Sequence, residues 1–254
     1  MDNDSRIVTL FGAHKPKCSD LHLNKHELQE NGYQIIRGYG TDVAHFEQDL
    51  NRESAGQLHF SGRIGTICHQ YSVLPESENL SEQLQCGGFH TDFMFQPEPP
   101  AYIALLCLKP DPRHPFYGLN QIVHMKAFLE RLHQTFGIND QMLKEASLVY
   151  SLPGHGRVEQ PMLAELNGKY VFRFHEKLLD KEQPFLSDTS GISLSGRLHC
   201  IMMDVASDIS LDRGDMLILS NHHALHRRGE CSIRFDTGSN TWQSREMASI
   251  RFNL

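Results

Sequence analysis

The longest uninterrupted apolar segment of the chain, Ala101–Leu108, is only eight residues long. That length is far too short to span a membrane, but it suits a β-strand that is buried on both faces. Short strand-like segments recur from residue 89 to the C-terminus, whereas helical spacing is concentrated in the first half and the middle of the chain. Many short strands with a few helices predict a mainly β, α+β fold: a β-barrel or sandwich core with flanking helices.

Turn and cap residues mark several of these elements. A short helix is expected over Asn24–Asn31, ended by Gly32, and the dipeptide Asn167-Gly168 predicts a β-hairpin. Further helices are predicted at Thr41–Ala55, Lys126–Thr135 and Ser195–Val205. Strands are predicted at Tyr33–Arg37, Arg63–Ser72, Phe89–Phe95, Tyr102–Leu108, Gln121–Met125, Met162–Leu166, Tyr170–Phe174, Gly214–Leu219, Ser232–Phe235 and Met247–Phe252.

Composition excludes several classes of protein. The chain has 254 residues, of which 39% are hydrophobic and 19 are Gly, so it can build a full core. The net charge is −7 and no basic block is present, which argues against nucleic acid as a partner. No signal-peptide pattern or membrane span is found, and none of the six Cys forms C-x-x-C. We therefore expect a cytoplasmic protein with buried thiols, no membrane partner and one domain over residues 1–254.

The 16 His residues direct attention to possible metal sites. In His90-Thr-Asp92, residues i and i+2 of an extended segment point to the same side, so the imidazole and the carboxylate can converge on one metal ion. About two such H-x-[DE] matches are expected by chance, and the second, His45-Phe-Glu47, lies in a predicted helix, where the two side chains diverge.

A second group of His residues follows the apolar strand Gly214–Leu219. It comprises His222, His223 and His226 in the segment that begins at Asn221. Two His and one carboxylate on one side of a metal, with three positions open, form the facial triad of non-haem Fe(II) oxygenases. Spacing alone leaves open the alternative that these His residues only pack or face solvent.

The contexts of the two groups carry a resemblance. Residues 87–108 read GGFHTDFMFQPEPPAYIALLCL, residues 169–179 read KYVFRFHEKLL, and residues 211–228 read LDRGDMLILSNHHALHRR. In order and spacing these segments resemble the Fe(II)/2-oxoglutarate dioxygenases of the taurine dioxygenase and clavaminate synthase group, which carry F-H-T-[DE], L-R-[FY]-D-x-x-L-M and L-x-x-G-D-[LM]-L-x-x-x-N-x-x-x-x-H-x-R.

The resemblance implies a double-stranded β-helix (jelly-roll, cupin-like) core. It makes His90, Asp92 and His226 the Fe(II) ligands, with 2-oxoglutarate and O2 at the open positions. The implied reaction oxidises, and most simply hydroxylates, a small molecule while 2-oxoglutarate is decarboxylated to succinate and CO2. A free amino acid or derivative is the expected substrate, and a small sulfonate or other organic acid is the alternative. The carboxylate at Asp92 argues against a halogenase, which carries Gly or Ala there.

The cosubstrate site departs from the family pattern. The family places an Arg for the distal carboxylate of 2-oxoglutarate eleven to fourteen residues after the last His, but here Arg234, Arg245 and Arg251 follow His226 by 8, 19 and 25 residues. We expect Arg245 to bind 2-oxoglutarate, after a loop insertion at residues 236–240, with Arg251 in reserve. Asn120 falls where the family often has Thr, so its amide is expected to contact the cosubstrate; a plain turn residue is the alternative.

Substrate contacts are less constrained. The motif alignment brings Arg173, His175 and Arg228 near the metal, and one of them is a candidate for holding a substrate carboxylate. Residues 72–85 are either a lid over the site or a surface loop.

Two other readings stay open. One is a metal- or ligand-binding jelly-roll without activity, and the other is a zinc hydrolase with the same three ligands. The oligomeric state cannot be predicted from these patterns.

Overall fold

The computed structural model describes residues 21–60, 65–77, 82–145, 147–152, 156–180, 183 and 194–254. The helices within these ranges are α1 (Lys25–Asn31), α2 (Val43–Glu53), α3 (Met125–Phe136), α4 (Asp140–Glu145) and α5 (Leu194–Val205), and a 3₁₀ turn covers Glu176–Leu178. The strands are β1 (Tyr33–Ile36), β2 (His69–Ser72), β3 (Tyr102–Lys109), β4 (Asn120–His124), β5 (Ser147–Leu152), β6 (Gly156–Pro161), β7 (Leu163–Leu166), β8 (Lys169–Phe172), β9 (Ser207–Ile209), β10 (Met216–Ser220), β11 (Ala224–Arg228), β12 (Arg234–Asp236), β13 (Thr241–Gln243) and β14 (Glu246–Phe252).

Two antiparallel sheets form the centre of the molecule. The larger sheet has five strands in the order β1-β10-β3-β14-β2, and the smaller has three in the order β11-β4-β9. The remaining strands pair as the hairpins β5–β6, β7–β8 and β12–β13. The two sheets pack against each other through one buried cluster that includes Leu105, Leu217 and Met247 of the larger sheet and Ile122 and Ala224 of the smaller. The fold is therefore mainly β with flanking helices, as the sequence predicts.

Each sheet also buries its outer face under helices. Phe46 and Leu50 of α2 cover the larger sheet, and residues of α3 and α5 cover the smaller one. Strand β3 shows the consequence, because Leu105 faces the other sheet while Leu106 faces the helices, and both are buried. This explains why β3 is apolar at successive positions from Tyr102 to Leu108 rather than at alternate ones.

Local signals at caps and turns are confirmed. The side chain of Asn24 accepts a hydrogen bond from the backbone N–H of Glu27 at 3.1 Å, and Gly32 ends α1 with φ +79°. Asn167 and Gly168 have φ values of +52° and +74°, which allows the tight turn that joins β7 to β8.

The prediction of a strand over Phe89–Phe95 is wrong. Only His90 makes bridge pairs there, and the chain then turns, with Phe93 at φ +57°. The backbone N–H of Asp92 bonds to a side chain, Asn221 Oδ1, at 2.8 Å instead of joining a strand ladder. The β5–β6 hairpin and strands β9 and β13 were not predicted, and β2 is shorter than the predicted strand Arg63–Ser72.

The prediction that all six thiols are buried is wrong in part. Cys107 and Cys231 are buried, Cys68 and Cys86 are half-buried, and Cys200 is exposed on α5; Cys18 lies outside the described residues. These five described thiols are free. Among the described helices none is long and apolar enough to cross a membrane.

A core substitution tests the packing under the smaller sheet. Phe128 of α3 is fully buried, with its ring centroid 5.7 Å from that of Phe172, whereas the Phe116 side chain is 81% exposed. We expect Phe128→Ala to lower the free energy of unfolding by about 3–5 kcal/mol and Phe116→Ala to change it by less than about 0.5 kcal/mol. Urea denaturation measures both, and similar losses in the two variants would contradict this packing.

Candidate active site

A pair of backbone hydrogen bonds brings the two His-containing motifs together. The N–H of His90 donates to the carbonyl of His226, and the N–H of His226 donates to the carbonyl of His90, both at 3.0 Å. His226 lies in β11, whereas His90 lies in the loop before β3, so this bridge attaches a loop to the edge of the smaller sheet. The two imidazoles consequently face each other, with ring centroids 4.3 Å apart.

Asp92 completes a group of three potential ligands. Its Oδ1 atom lies 3.4 Å from His90 Nε2 and 3.6 Å from His226 Nε2. The ligand atoms of the three residues all lie within 4.8 Å of one another. His90 Nδ1 lies 2.9 Å from the carbonyl of Gly88, which makes Nδ1 the donor and leaves the lone pair of Nε2 directed at the centre of the group. This donor set fits a divalent metal ion such as Fe(II).

The electrostatics of the group also favour a metal ion. Burial, followed by the proximity of His90, lowers the pKa of His226 to about 3, so its imidazole is neutral at pH 7. Burial opposes ionisation of Asp92, but Arg251 and the two His hold the pKa of its carboxyl well below the usual range. Burial also lowers the pKa of His90, yet the hydrogen bond and charge of Asp92 outweigh it and raise that pKa. The anionic carboxylate therefore draws positive charge to this point.

Asn221 fixes the backbone of Asp92. Its Oδ1 accepts from the N–H of Asp92 at 2.8 Å, and its Nδ2 donates to the carbonyls of Asp92 at 3.0 Å and Pro100 at 2.8 Å. Asn221 is 1% exposed, so these bonds are shielded from water. The sequence motif contains Asn221 but did not predict this role. Its place five residues before His226 in the motif was the signal that could have indicated it.

The structure brings two of the predicted cosubstrate residues together. Arg245, just before β14, donates through Nη2 to Asn120 Oδ1 at 2.9 Å, and both residues are at most 5% exposed. Within the described part of the chain this is the only hydrogen bond of the Arg245 guanidinium, and no carboxylate pairs with it. Asn120 Nδ2 is buried and has no partner among these residues. A buried cation and an unsatisfied donor together form a site for an anion.

Arg251, the reserve candidate, has a different partner. Its Nε and Nη2 atoms lie 2.8 Å and 2.7 Å from Asp92 Oδ2, and its Nη1 donates to Ser249 Oγ at 2.9 Å. The guanidinium is therefore occupied by a residue of the ligand group.

The three predicted substrate contacts are placed differently from one another. The ring centroid of His175 lies 5.0 Å from that of His90, and its Nδ1 is buried without a partner in the described structure. Arg173 donates to the carbonyls of Met94, Gln96 and Pro97. His175 is thus beside the ligand group, whereas Arg173 holds the turn that follows Asp92.

Arg228 holds the loop that precedes His90. It donates to the carbonyls of Gln85 at 2.9 Å and Gly229 at 3.0 Å, and also to that of Gln83. Residues 83–85, at the end of the segment predicted to be either a lid or a surface loop, are therefore attached to β11. Residues 78–81 of that segment lie outside the described structure. Three Phe residues flank His90 and Asp92 in the sequence. Phe89 and Phe95 pack in the core, and Phe93 lies against His59, with ring centroids 5.0 Å apart.

Two substitutions in one His-rich segment test the ligand assignment. His226 belongs to the ligand group, whereas His223, three residues earlier, bonds through Nδ1 to Ser220 Oγ at 3.0 Å. We expect His226→Ala to weaken Fe(II) or Co(II) binding at least about 100-fold, because one of three ligands is lost, and His223→Ala to bind as the wild type does. Anaerobic titration against a metal-chelating dye measures both, and equal effects would contradict the assignment.

The comparisons with known proteins agree with this geometry. The sequence profile of the family described as "Taurine catabolism dioxygenase TauD, TfdA family" matches residues 17–137. No curated protein matches the sequence.

Several solved structures share the fold. An asparagine oxygenase in complex with Fe(II), 2S,3S-3-hydroxyasparagine and succinate has a TM-score of 0.67 at 16% identity, covering 90% of this chain and 77% of that one. The non-haem iron oxygenase OrfP in complex with Fe and alpha-ketoglutaric acid has a TM-score of 0.62 at 18% identity, covering 90% and 77%. A taurine dioxygenase from Burkholderia xenovorans has a TM-score of 0.58 at 13% identity, covering 92% and 83%.

The likeness to these structures confirms the double-stranded β-helix fold. The family match covers the segment that holds His90 and Asp92, and the structure adds His226 to them. The resemblance inferred from the motifs is thereby confirmed: the chain is similar in sequence and fold to the Fe(II)/2-oxoglutarate oxygenases of the taurine dioxygenase family.

Proposed function

We propose that this protein is an Fe(II)- and 2-oxoglutarate-dependent oxygenase that oxidises a small molecule. The observation that carries the proposal is the combination of a His-Asp-His group with a buried Arg that has no counterion among the described residues. The first can hold iron and the second can hold a dicarboxylate cosubstrate. A metal-binding protein without the reaction would need the triad but not the unpaired Arg245.

His90, Asp92 and His226 would hold the iron through Nε2, Oδ1 and Nε2. Iron with 2-oxoglutarate and O2 supplies the oxidation of the substrate, coupled to the formation of succinate and CO2. The part of the protein is to keep the His226 imidazole neutral, to direct one carboxylate oxygen at the two imidazoles and to leave the other coordination positions free of side chains.

Arg245 and Asn120 would bind the distal carboxylate of 2-oxoglutarate. The Arg245 charge is buried, so an anion that reaches it is attracted strongly. Burial raises the pKa of the Tyr71 hydroxyl, and the charges of Arg245, Arg251 and Arg228 oppose that rise. Three guanidinium groups and the carboxylate of Asp92 therefore act together on the Tyr71 hydroxyl. This local excess of positive charge supports a doubly charged anionic cosubstrate.

An amino acid or derivative is the substrate class that we propose first. The support is that similar structures contain 3-hydroxyasparagine and (3S)-hydroxy-L-Arg. One observation favours a sulfonate or other organic acid as the second candidate. His175 stands where the related motif has Asp, so this position beside His90 offers an imidazole in place of a carboxylate that could face a substrate ammonium group.

The remaining expectations stay predictions. We propose a single catalytic domain over residues 1–254 that acts on a free small molecule and not on nucleic acid or a membrane. A cytoplasmic location is also a prediction.

Removing the proposed anchor tests the cosubstrate site. Arg245→Met deletes a buried cation, whereas Arg234→Met deletes an exposed one that bonds to Gln243 on the β12–β13 hairpin. In an anaerobic titration with Fe(II), we expect 2-oxoglutarate to produce a weak visible charge-transfer band in the wild type and in Arg234→Met. In Arg245→Met the Kd for 2-oxoglutarate should rise on the order of 100-fold.

The same titration decides between the alternatives. A wild-type protein that binds iron without giving the band would contradict the proposed function. Tight binding of zinc with hydrolysis of an ester or amide probe would favour the hydrolase.

Product analysis tests the substrate class. We expect succinate release above the substrate-free level when free amino acids are supplied with Fe(II), 2-oxoglutarate and O2, and a product heavier by one oxygen atom in mass spectrometry. Stimulation by small sulfonates or other organic acids, but by no amino acid, would support the second candidate instead. The variant His226→Ala is the control, because it should release no succinate above background.

A further inference from the structure

Asp92 occupies a turn, so its local backbone does not determine where its carboxylate points. The residue after it, Phe93, has φ +57°, a conformation that bulky residues seldom adopt. Asn221 holds both backbone polar groups of Asp92. The segment around Asp92 is a turn and not a strand, so regular strand geometry does not fix the direction of its side chain. The direction of the carboxylate must therefore be set by contacts from elsewhere in the fold.

The two oxygens of this carboxylate have different surroundings. Oδ1 faces His90 Nε2 and His226 Nε2 at 3.4 Å and 3.6 Å. Oδ2 accepts a hydrogen bond from Arg251 Nε at 2.8 Å and lies 2.7 Å from Arg251 Nη2 in the same ion pair. Turning Oδ2 towards the imidazoles would break this charge-assisted hydrogen bond and the ion pair together, and such contacts are among the strongest polar interactions in proteins.

Arg251 is itself held in place. It lies in β14 of the larger sheet, and its Nη1 donates to Ser249 Oγ at 2.9 Å. The hydroxyl of Ser249 donates in turn to the carbonyl of His69 in β2 at 3.3 Å. All three groups of the guanidinium that can donate are thus engaged, and its side chain is only 15% exposed. Asp92 belongs to the loop that pairs with the smaller sheet. This series of hydrogen bonds therefore connects the larger sheet to Asp92.

We propose that Arg251 is a positioning residue for the metal ligand Asp92, and not a cosubstrate residue. It engages Oδ2 so that Oδ1 alone is presented to the ion, which leaves the other coordination positions for the cosubstrate and O2. The proposal rests on the metal site of the proposed function. The proposal gives the two arginines different roles: Arg245 binds the anion and Arg251 orients the metal ligand.

Whether the loss of the Arg251 guanidinium weakens or tightens metal binding tests its role as a positioning residue. A guanidinium beside a cation site repels the cation, so the loss of its charge alone would tighten metal binding. The loss of a group that orients a ligand weakens binding, commonly 10–100-fold. We therefore expect Arg251→Met to raise the Kd for Co(II) or Fe(II) by about 10–100-fold, measured anaerobically by dye competition without 2-oxoglutarate.

Two further variants make the test decisive. Arg251→Lys keeps the charge but replaces the planar pair of donors by a point charge, so we expect an intermediate rise in Kd, about 3–10-fold. Arg245→Met removes a buried cation that does not touch Asp92, and its metal Kd should stay within about twofold of the wild type or become lower. Thermal melting shows which variants fold; if Arg251→Met does not, Arg251→Lys decides.

Unchanged or tighter metal binding by Arg251→Met, or wild-type affinity in Arg251→Lys where the Met variant does not fold, would overturn the proposal. The assay contains neither cosubstrate nor substrate. Failure of the wild-type protein to give the 2-oxoglutarate charge-transfer band would therefore contradict the proposed function without affecting this comparison.

Discussion

The site depends on the reciprocal backbone hydrogen bonds between His90 and His226. One partner belongs to a strand of the smaller sheet and the other to a loop that leads into the larger sheet. The pairing places the two imidazoles side by side, tilted by 44° with ring centroids 4.3 Å apart, and brings Asp92, two residues further on, within reach of both. Arg228 and Asn221 then hold the chain on either side of this point through bonds to backbone carbonyls and amides. A change that separated the two backbones would remove all three ligands together.

The two arginines near the site differ in whether their charge is paired. Arg245 is buried and Arg251 is partly buried, and among the described residues only Arg251 has a carboxylate partner. The ion pair neutralises Asp92 in part and fixes it, whereas the unpaired cation keeps its full attraction for an anion. An unpaired buried charge is costly to folding. The cost is offset when a dicarboxylate binds, so we expect 2-oxoglutarate to stabilise the folded protein.

Much of the fold and the ligand group could be predicted because their signals are local or repeated. The cap at Asn24 and the turn at Asn167-Gly168 depend on neighbouring residues only, and both are observed. The apolar run of β3 reflects burial on both faces. The structure brings His90, Asp92 and His226 together as expected, but the reason given for His90 and Asp92 was wrong in part, since they converge across a bridge and a turn and not along a strand.

The roles of the arginines could not be predicted in the same way. Arg228, Arg245 and Arg251 differ in their partners, and those partners lie in distant segments of the chain. Spacing from His226 could rank Arg245 above Arg251, but it could not show that Arg251 is occupied by Asp92. The hydrogen bond between Arg245 and Asn120 supports Arg245 as the first candidate for binding the cosubstrate.

Diffraction from crystals grown anaerobically with Mn(II) and 2-oxoglutarate tests the central claim most directly. The account predicts anomalous density for one ion about 2.0–2.2 Å from His90 Nε2, His226 Nε2 and Asp92 Oδ1, as expected for such ligands. It also predicts that the distal carboxylate of 2-oxoglutarate lies on Arg245 and Asn120. An ion bound away from these three residues, or a cosubstrate whose distal carboxylate leaves Arg245 unpaired, would contradict it.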